Sequence, residues 1–162
     1  MKDVSEMYRC PFVEDFEAWF AETGTRHLVC VSERPVCELD VEGIGRTLRW
    51  KADFAPVGVN VNFIHAQDGL LHVRTFEKGV EAETYACCTG ICASAIAALK
   101  AGIAPSSKTS DGLVSYEIQA LRDRLRVDFK PGDDSPLFAS DVVLTGPATF
   151  VAKIIANPVF FA

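Results

Sequence analysis

Residues 77–101 read Glu-Lys-Gly-Val-Glu-Ala-Glu-Thr-Tyr-Ala-Cys-Cys-Thr-Gly-Ile-Cys-Ala-Ser-Ala-Ile-Ala-Ala-Leu-Lys-Ala. A polar, acidic loop ends at Cys87, and a small-residue stretch with no charge before Lys100 begins just behind it. Ile91 to Ala101 is apolar or small on every side, which predicts a helix enclosed on all faces, with Gly102 placed to end it. A helix start offers N–H groups without intrahelical acceptors and a partial positive charge. A thiol held there is expected to be acidic, and an anion such as a carboxylate is expected to bind beside it.

Upstream of this segment the pattern is strand-rich. Glu17-Ala18-Trp19-Phe20 reads as the end of a strand, Glu22 to Arg26 as a turn, and His27 to Ser32 as the next strand. Asp40 is a plausible N-cap for a helix with Val41, Ile44 and Leu48 at helical spacing. Val59 to Ala66 alternates as a strand, Asp68-Gly69 is a hairpin turn, and Leu70 to Phe76 returns. Downstream, Pro105 to Gly112 is a flexible connection. Strands are expected near 113–120, 124–130, 141–145 and 149–155, with loops at 131–136 and at Gly146-Pro147. The predicted class is α+β, a mixed or antiparallel sheet wrapped around one central buried helix. The last residues, Pro158-Val159-Phe160-Phe161, are apolar, and something is expected to cover them.

A chain of 162 residues suffices for one domain, and 49% apolar with 23% charged residues marks it as globular. The net charge of −6, with no basic run, argues against nucleic acid as a partner. No apolar run approaches the roughly 20 residues that cross a bilayer. The start, Met1-Lys2-Asp3-Val4-Ser5-Glu6, does not read as a signal peptide, so the expected location is the cytoplasm. Cytoplasmic thiols stay reduced, so the six cysteines are expected free, with Cys10, Cys30 and Cys37 buried as small apolar residues. Cys92, one turn into the helix, is expected to face the core. Zinc held by Cys87, Cys88 and Cys92 with His65 or His72 matches no usual ligand spacing. His72 alternates within its strand and reads as a surface residue, and Glu81 and Glu83 as a solvated loop.

Glu77-Lys78-Gly79 followed by Glu83-Thr84-Tyr85-Ala86-Cys87-Cys88-Thr89-Gly90 and Cys92 resembles the second catalytic motif of diaminopimelate epimerases. Thr23-Gly24-Thr25-Arg26-His27, Gly58-Val59-Asn60-Val61-Asn62-Phe63 and Leu144-Thr145-Gly146-Pro147-Ala148 resemble that family's other motifs, in the same order. The resemblance runs from about residue 4 to 152 and is to the second, C-terminal domain. The first domain's motif, Asn-Gly shortly before Arg-Cys, is absent; Tyr8-Arg9-Cys10-Pro11 lacks the Asn-Gly and the helix behind it. The resemblance therefore implies half an enzyme: residues 1–152 as one domain, and an apolar tail at 153–162 that packs on a missing first domain or a neighbouring chain.

The implied activity is epimerisation of LL- to meso-diaminopimelate, an intermediate of lysine and cell-wall synthesis, without pyridoxal phosphate, metal or other cofactor. Two thiols, one from each domain, would exchange the α-proton on opposite faces of the carbon. The resemblance implies Cys87 as the acid/base thiol and the N–H groups of Cys88 and Thr89 as carboxylate donors. Thr25, Asn60, Glu77 and Lys78 would line the substrate site. His27 and Glu77 would bias the thiol or hold the substrate ammonium. Position 88 is usually Gly, so Cys88 would be strained if the backbone there needs positive φ. Thr25 stands for Asn and Lys78 for Arg, which removes a two-pronged carboxylate clasp. Two other readings compete. One is a non-catalytic amino-acid- or partner-binding domain of the same fold. The other is a thiol hydrolase, for which His27 would be the only base.

Overall fold

The structure, a computed structural model, describes residues 4, 6–11, 13, 15–132 and 138–153. Among the described residues ten strands form one sheet: β1 (Glu6–Arg9), β2 (Glu17–Glu22), β3 (Arg26–Val31), β4 (Asn60–Gln67), β5 (Leu70–Glu77), β6 (Ala82–Thr84), β7 (Ser107–Lys108), β8 (Val114–Gln119), β9 (Arg124–Pro131) and β10 (Ala139–Thr145). Their spatial order is β1-β2-β3-β4-β5-β8-β9-β10, with β6 on β5 and β7 on β8. The β3–β4 and β5–β8 pairs are parallel and the rest antiparallel. The sheet curls: Val4 N–H donates to Ala139 O at 2.9 Å, and Phe138 N–H to Val4 O at 2.8 Å. The start of the first strand thereby meets the start of the last.

Local chemistry sets the main elements. Asp68 and Gly69 both take left-handed backbone, φ 53° and 76°, as a tight two-residue hairpin demands. The hairpin sets Val61 opposite Phe76 and Gln67 opposite Leu70. Helix α1 (Val41–Arg49) begins where the Asp40 carboxylate accepts the Gly43 N–H at 2.9 Å. Helix α2 (Cys88–Lys100) is buried without a break from Gly90 to Ala98. It ends at Gly102, φ 79°, where the Ile103 N–H reaches back to Ala98 O at 2.9 Å.

Burial on both sheet faces follows from strand alternation. Leu28, Cys30, Val61, Phe63 and Phe76 join the apolar cluster that also holds Val41 of α1. Val29, Ile64, Leu71 and Val73 turn the other way, into the cluster built around Ile91, Ala95 and Ile96 of α2. Helix α2 packs on β2, β3, β4, β5, β9 and β10.

The α+β class and most strands stand as the sequence predicts; several details differ. The expected strand at 149–155 is absent over its described part, 149–153, where Phe150 and Val151 are 84% and 90% exposed with no neighbouring strand to pair. The rest of that stretch and the apolar tail from 154 onward lie outside the described residues. Strand β1 was not anticipated, and the connection at 105–112 contains β7. Helix α2 starts at Cys88, three residues before Ile91. Cys10 and Cys30 are buried, but Cys37 is exposed. It sits mid-way in a single 3₁₀ turn, Val36–Glu38, whose Val36 turns inward in its place.

Candidate active site at the start of helix α2

Where α2 begins, the helix-facing positions of three neighbouring strands change from apolar to polar. These are His27 on β3, Asn62 on β4 and Thr75 on β5, all at most 2% exposed. Buried polar groups need partners, and these find one another. The Thr75 hydroxyl donates to Asn62 Oδ1 at 2.9 Å. Asn62 Nδ2 lies 3.4 Å from Leu28 O and 3.0 Å from His27 Nδ1. His27 Nε2 lies 3.0 Å from the Thr89 hydroxyl, which is 3.5 Å from Cys87 Sγ. Thr23, in the turn before β3, donates its hydroxyl to Thr89 O at 3.2 Å and ties that turn to the helix.

Cys87 is the N-cap of α2 and retains 9% of its exposure. The sulfur therefore stands at the helix tip, at the edge of the core. Burial opposes the acidity expected from the helix position. Burial pushes the Cys87 thiol up; the Thr89 hydroxyl and the Gly90 N–H pull it down, and the nearby Glu77 carboxylate opposes them. Burial is the largest of these influences, since a thiolate loses more hydration than two weak donors return. His27 is driven the opposite way. Burial, helped by the Lys78 ammonium, lowers it to about 3, so the ring is neutral at physiological pH.

The remaining sequence-predicted residues occupy the same end of the sheet. Cys88 is exposed and lies in helical backbone, not at positive φ, so the strain anticipated for a non-glycine residue there is absent. Helix geometry leaves the N–H groups of Cys88 and Thr89 without intrahelical acceptors. Asn60 is buried, and its amide is already engaged: Nδ2 donates to Arg26 O at 3.2 Å and Oδ1 accepts the Lys78 N–H at 2.8 Å. It brackets the backbone that carries Glu77 and Lys78. Both ring nitrogens of His27 are occupied, Nδ1 by Asn62 and Nε2 by Thr89, so neither is open to a substrate ammonium. Thr25, Glu77 and Lys78 are half-buried around the opening.

Glu81 and Glu83, expected to be merely solvated, are structural. Glu81 has left-handed backbone, φ 60°, and accepts from Arg49 Nε at 2.8 Å and from the Gly79 N–H at 3.0 Å. Glu83 takes both prongs of Arg74 at 2.5 Å. These pairs hold the loop that delivers Glu77 and Lys78. Cys92 is buried, as predicted. Cys88, Thr89 and Cys92 share a cavity of about 390 Å³ with Val142, Val143 and Leu144 of β10. A larger hollow of about 650 Å³, lined by Phe16, Ser32, Glu33, Arg34 and Ile44 among others, contains no candidate residue. Among the described residues no helix is long and apolar enough to cross a membrane.

Sequence reasoning gave no site role to Thr75, nor to Thr23 and Asn62, which it met only as members of the quoted motifs. A usable signal was present at the start of β4, where Asn60 and Asn62, two residues apart, interrupt the apolar run of Val59, Val61, Phe63 and Ile64.

No protein-family profile matches the chain. It is similar to the diaminopimelate epimerase of Hydrogenobaculum sp. (strain Y04AAS1), 44% identical over 133 aligned residues, covering 64% of this chain and 48% of that protein. The diaminopimelate epimerase of Flavobacterium psychrophilum is 32% identical over 133 residues, covering 82% of this chain and 48% of that protein. That of Chlamydia trachomatis serovar L2 is 43% identical over 83 residues, 51% of this chain and 30% of that protein. The chain thus spans about half the length, or less, of these relatives. In fold it is similar to a probable proline racemase from Agrobacterium radiobacter K84, with a TM-score of 0.58 at 14% identity over 96% of this chain and 51% of that one. A predicted epimerase from Pseudomonas aeruginosa gives 0.50 at 12% identity, covering 82% and 39%.

Proposed function

We propose, for a chain homologous to the diaminopimelate epimerases over about half of their length, that it is the second domain of a cofactor-independent amino-acid epimerase and that Cys87 is one of its two acid/base thiols. In this reading α2 is the central helix of one lobe, and its N-terminal end faces the matching lobe of the complete enzyme. The observation that carries the reading is the position of Cys87: the N-cap residue of a buried helix, beside backbone N–H groups without helical acceptors, with its sulfur 3.5 Å from the Thr89 hydroxyl that ends a buried polar network.

The chemistry follows from that position. The substrate α-carboxylate binds the N–H groups of Cys88 and Thr89, where the helix dipole favours an anion. One thiolate takes the α-proton and becomes a thiol. The thiol on the opposite face delivers its proton to the carbanionic carbon and becomes a thiolate, so the two sulfurs have exchanged states and the centre is inverted. Burial, which raises Cys87, suits the donor role: in the direction where Cys87 gives up its proton it starts as the thiol. Closing a second lobe over the site would remove water and strengthen the donors around the developing charge. Glu77 and Lys78 would meet the substrate ammonium and its distal carboxylate.

A hydrolase reading is less well supported, because the His27 hydrogen bond goes to Thr89. The binding-domain reading is separated by experiment. Mixing this chain with the first half of a diaminopimelate epimerase and following LL- to meso-diaminopimelate conversion by chiral chromatography tests the assignment. Conversion that disappears with Cys87→Ser supports it; ligand binding without conversion in any mixture rejects it.

A further inference from the structure

We infer that Asn62 is a positioning residue for Cys87, acting through the tautomer of His27 and the hydroxyl of Thr89. The inference rests on the reading of Cys87 as the proton-transferring thiol for its consequence, but its geometry stands independently.

The direction of each hydrogen bond is set by the one before it. The side-chain amide of Asn62 is oriented at both ends. Its Oδ1 accepts from the Thr75 hydroxyl at 2.9 Å, and its Nδ2 faces Leu28 O, which only accepts. The second Nδ2 proton therefore points at His27 Nδ1, 3.0 Å away, and that nitrogen must be the lone-pair nitrogen. A neutral imidazole carries one proton, so it sits on Nε2 and is donated to Thr89 Oγ1 at 3.0 Å. With that lone pair taken, the hydroxyl proton of Thr89 is free to point at Cys87 Sγ, 3.5 Å away. Four side chains thus run one way, from the sheet to the sulfur, and the last bond is made to the thiolate more strongly than to the thiol. The network counters the burial that disfavours the thiolate.

The charged and titratable groups facing this network come from two elements. Lys78, just after β5, acts on His27, and Glu77, at the end of β5, acts on Cys87, with the Cys88 thiol beside it. Among the described residues no acid acts on the His27 ring to hold it as imidazolium. A purely structural role for His27 would be served by either tautomer; the Asn62 contact selects one.

The test reads the tautomer directly. Long-range ¹H–¹⁵N NMR of the labelled chain at pH 7 should show His27 with the proton on Nε2. A proton on Nδ1, or on both nitrogens, overturns the inference. Asn62→Ala should release the tautomer and slow iodoacetamide alkylation of Cys87, resolved from Cys88 by fragmentation mass spectrometry. Thr89→Val should slow it about tenfold, the worth of one charge-assisted hydrogen bond, with Thr89→Ser restoring the rate. Alkylation of the exposed Cys37 serves as an internal control and should stay constant. Unchanged Cys87 rates in both Asn62→Ala and Thr89→Val overturn the inference. Should the tautomer and rates behave as stated while no epimerisation occurs with any first domain, the functional proposal fails and the positioning network stands.

Discussion

A Cβ on residue 90 would stand 2.3 Å from Asn62 Oδ1 and 3.1 Å from His27 Cε1, so the bare backbone of Gly90 is what lets α2 lie directly on the polar ends of β3 and β4. Both neighbours are fully buried and hydrogen-bonded, so neither can withdraw without losing a partner. Gly90→Ala is expected to destabilise the chain by roughly 1–3 kcal/mol through overpacking, although alanine favours an open helix. Urea denaturation measures it. A raised midpoint would contradict this packing.

The pH dependence of stability follows from His27. Its folded pKa, about 3, lies below the ordinary 6.5. Between these values the unfolded chain binds a proton that the folded chain refuses. The contribution is therefore intact above about pH 6.5 and is lost as pH falls toward 3, with a slope of at most about 1.4 kcal/mol per pH unit. Urea midpoints measured from pH 7 to 5 should fall more steeply for the native chain than for His27→Gln. Parallel profiles would show that His27 takes up its proton in the fold as readily as in the unfolded chain and contradict its lowered pKa.

Glu81 provides a separate test of the loop that carries Glu77 and Lys78. Its left-handed backbone disfavours any L-residue, while its carboxylate is held by the buried Arg49. Glu81→Ala loses the pair and keeps the strain; Glu81→Gly loses the pair and relieves it. The glycine variant should be more stable by about 1 kcal/mol. Equal stabilities in urea would mean that residue 81 leaves the left-handed region once its side chain is removed.

The start of α1 depends on one carboxylate. Asp40→Ala should cost about 1 kcal/mol, the usual worth of an N-cap, and Asp40→Ser should recover most of it. Thermal unfolding of the three proteins gives the comparison, and an Asp40→Ala chain as stable as the native one would remove the cap's role.

What the sequence made legible was what short-range chemistry determines. The Asp40 cap, the Asp68-Gly69 hairpin and the uncharged α2 each carry their own signal within a few residues. Strand β1 does not, because only Met7 of its four residues is buried and its definition comes from pairing with residues of β2 that lie outside any local window, Glu6 with Glu22 and Arg9 with Trp19. Phe150 and Val151 show the converse: high strand propensity yields no strand without a neighbour. At the site, the motif indicated Cys87, Thr89 and His27 by type and order. The links between them were hidden, since His27, Asn62 and Thr75 meet only through the register of three strands. The sulfur's raised pKa was also hidden, because a local argument from the helix dipole does not contain the burial that tertiary packing adds.

The central claim, that Cys87 moves the α-proton of an amino acid, is tested most directly in heavy water. Diaminopimelate is incubated with this chain and the first half of a diaminopimelate epimerase, and the α-¹H signal is followed by NMR. The expected result is progressive loss of that signal, abolished by Cys87→Ser. Exchange that persists at an undiminished rate in Cys87→Ser would contradict the assignment.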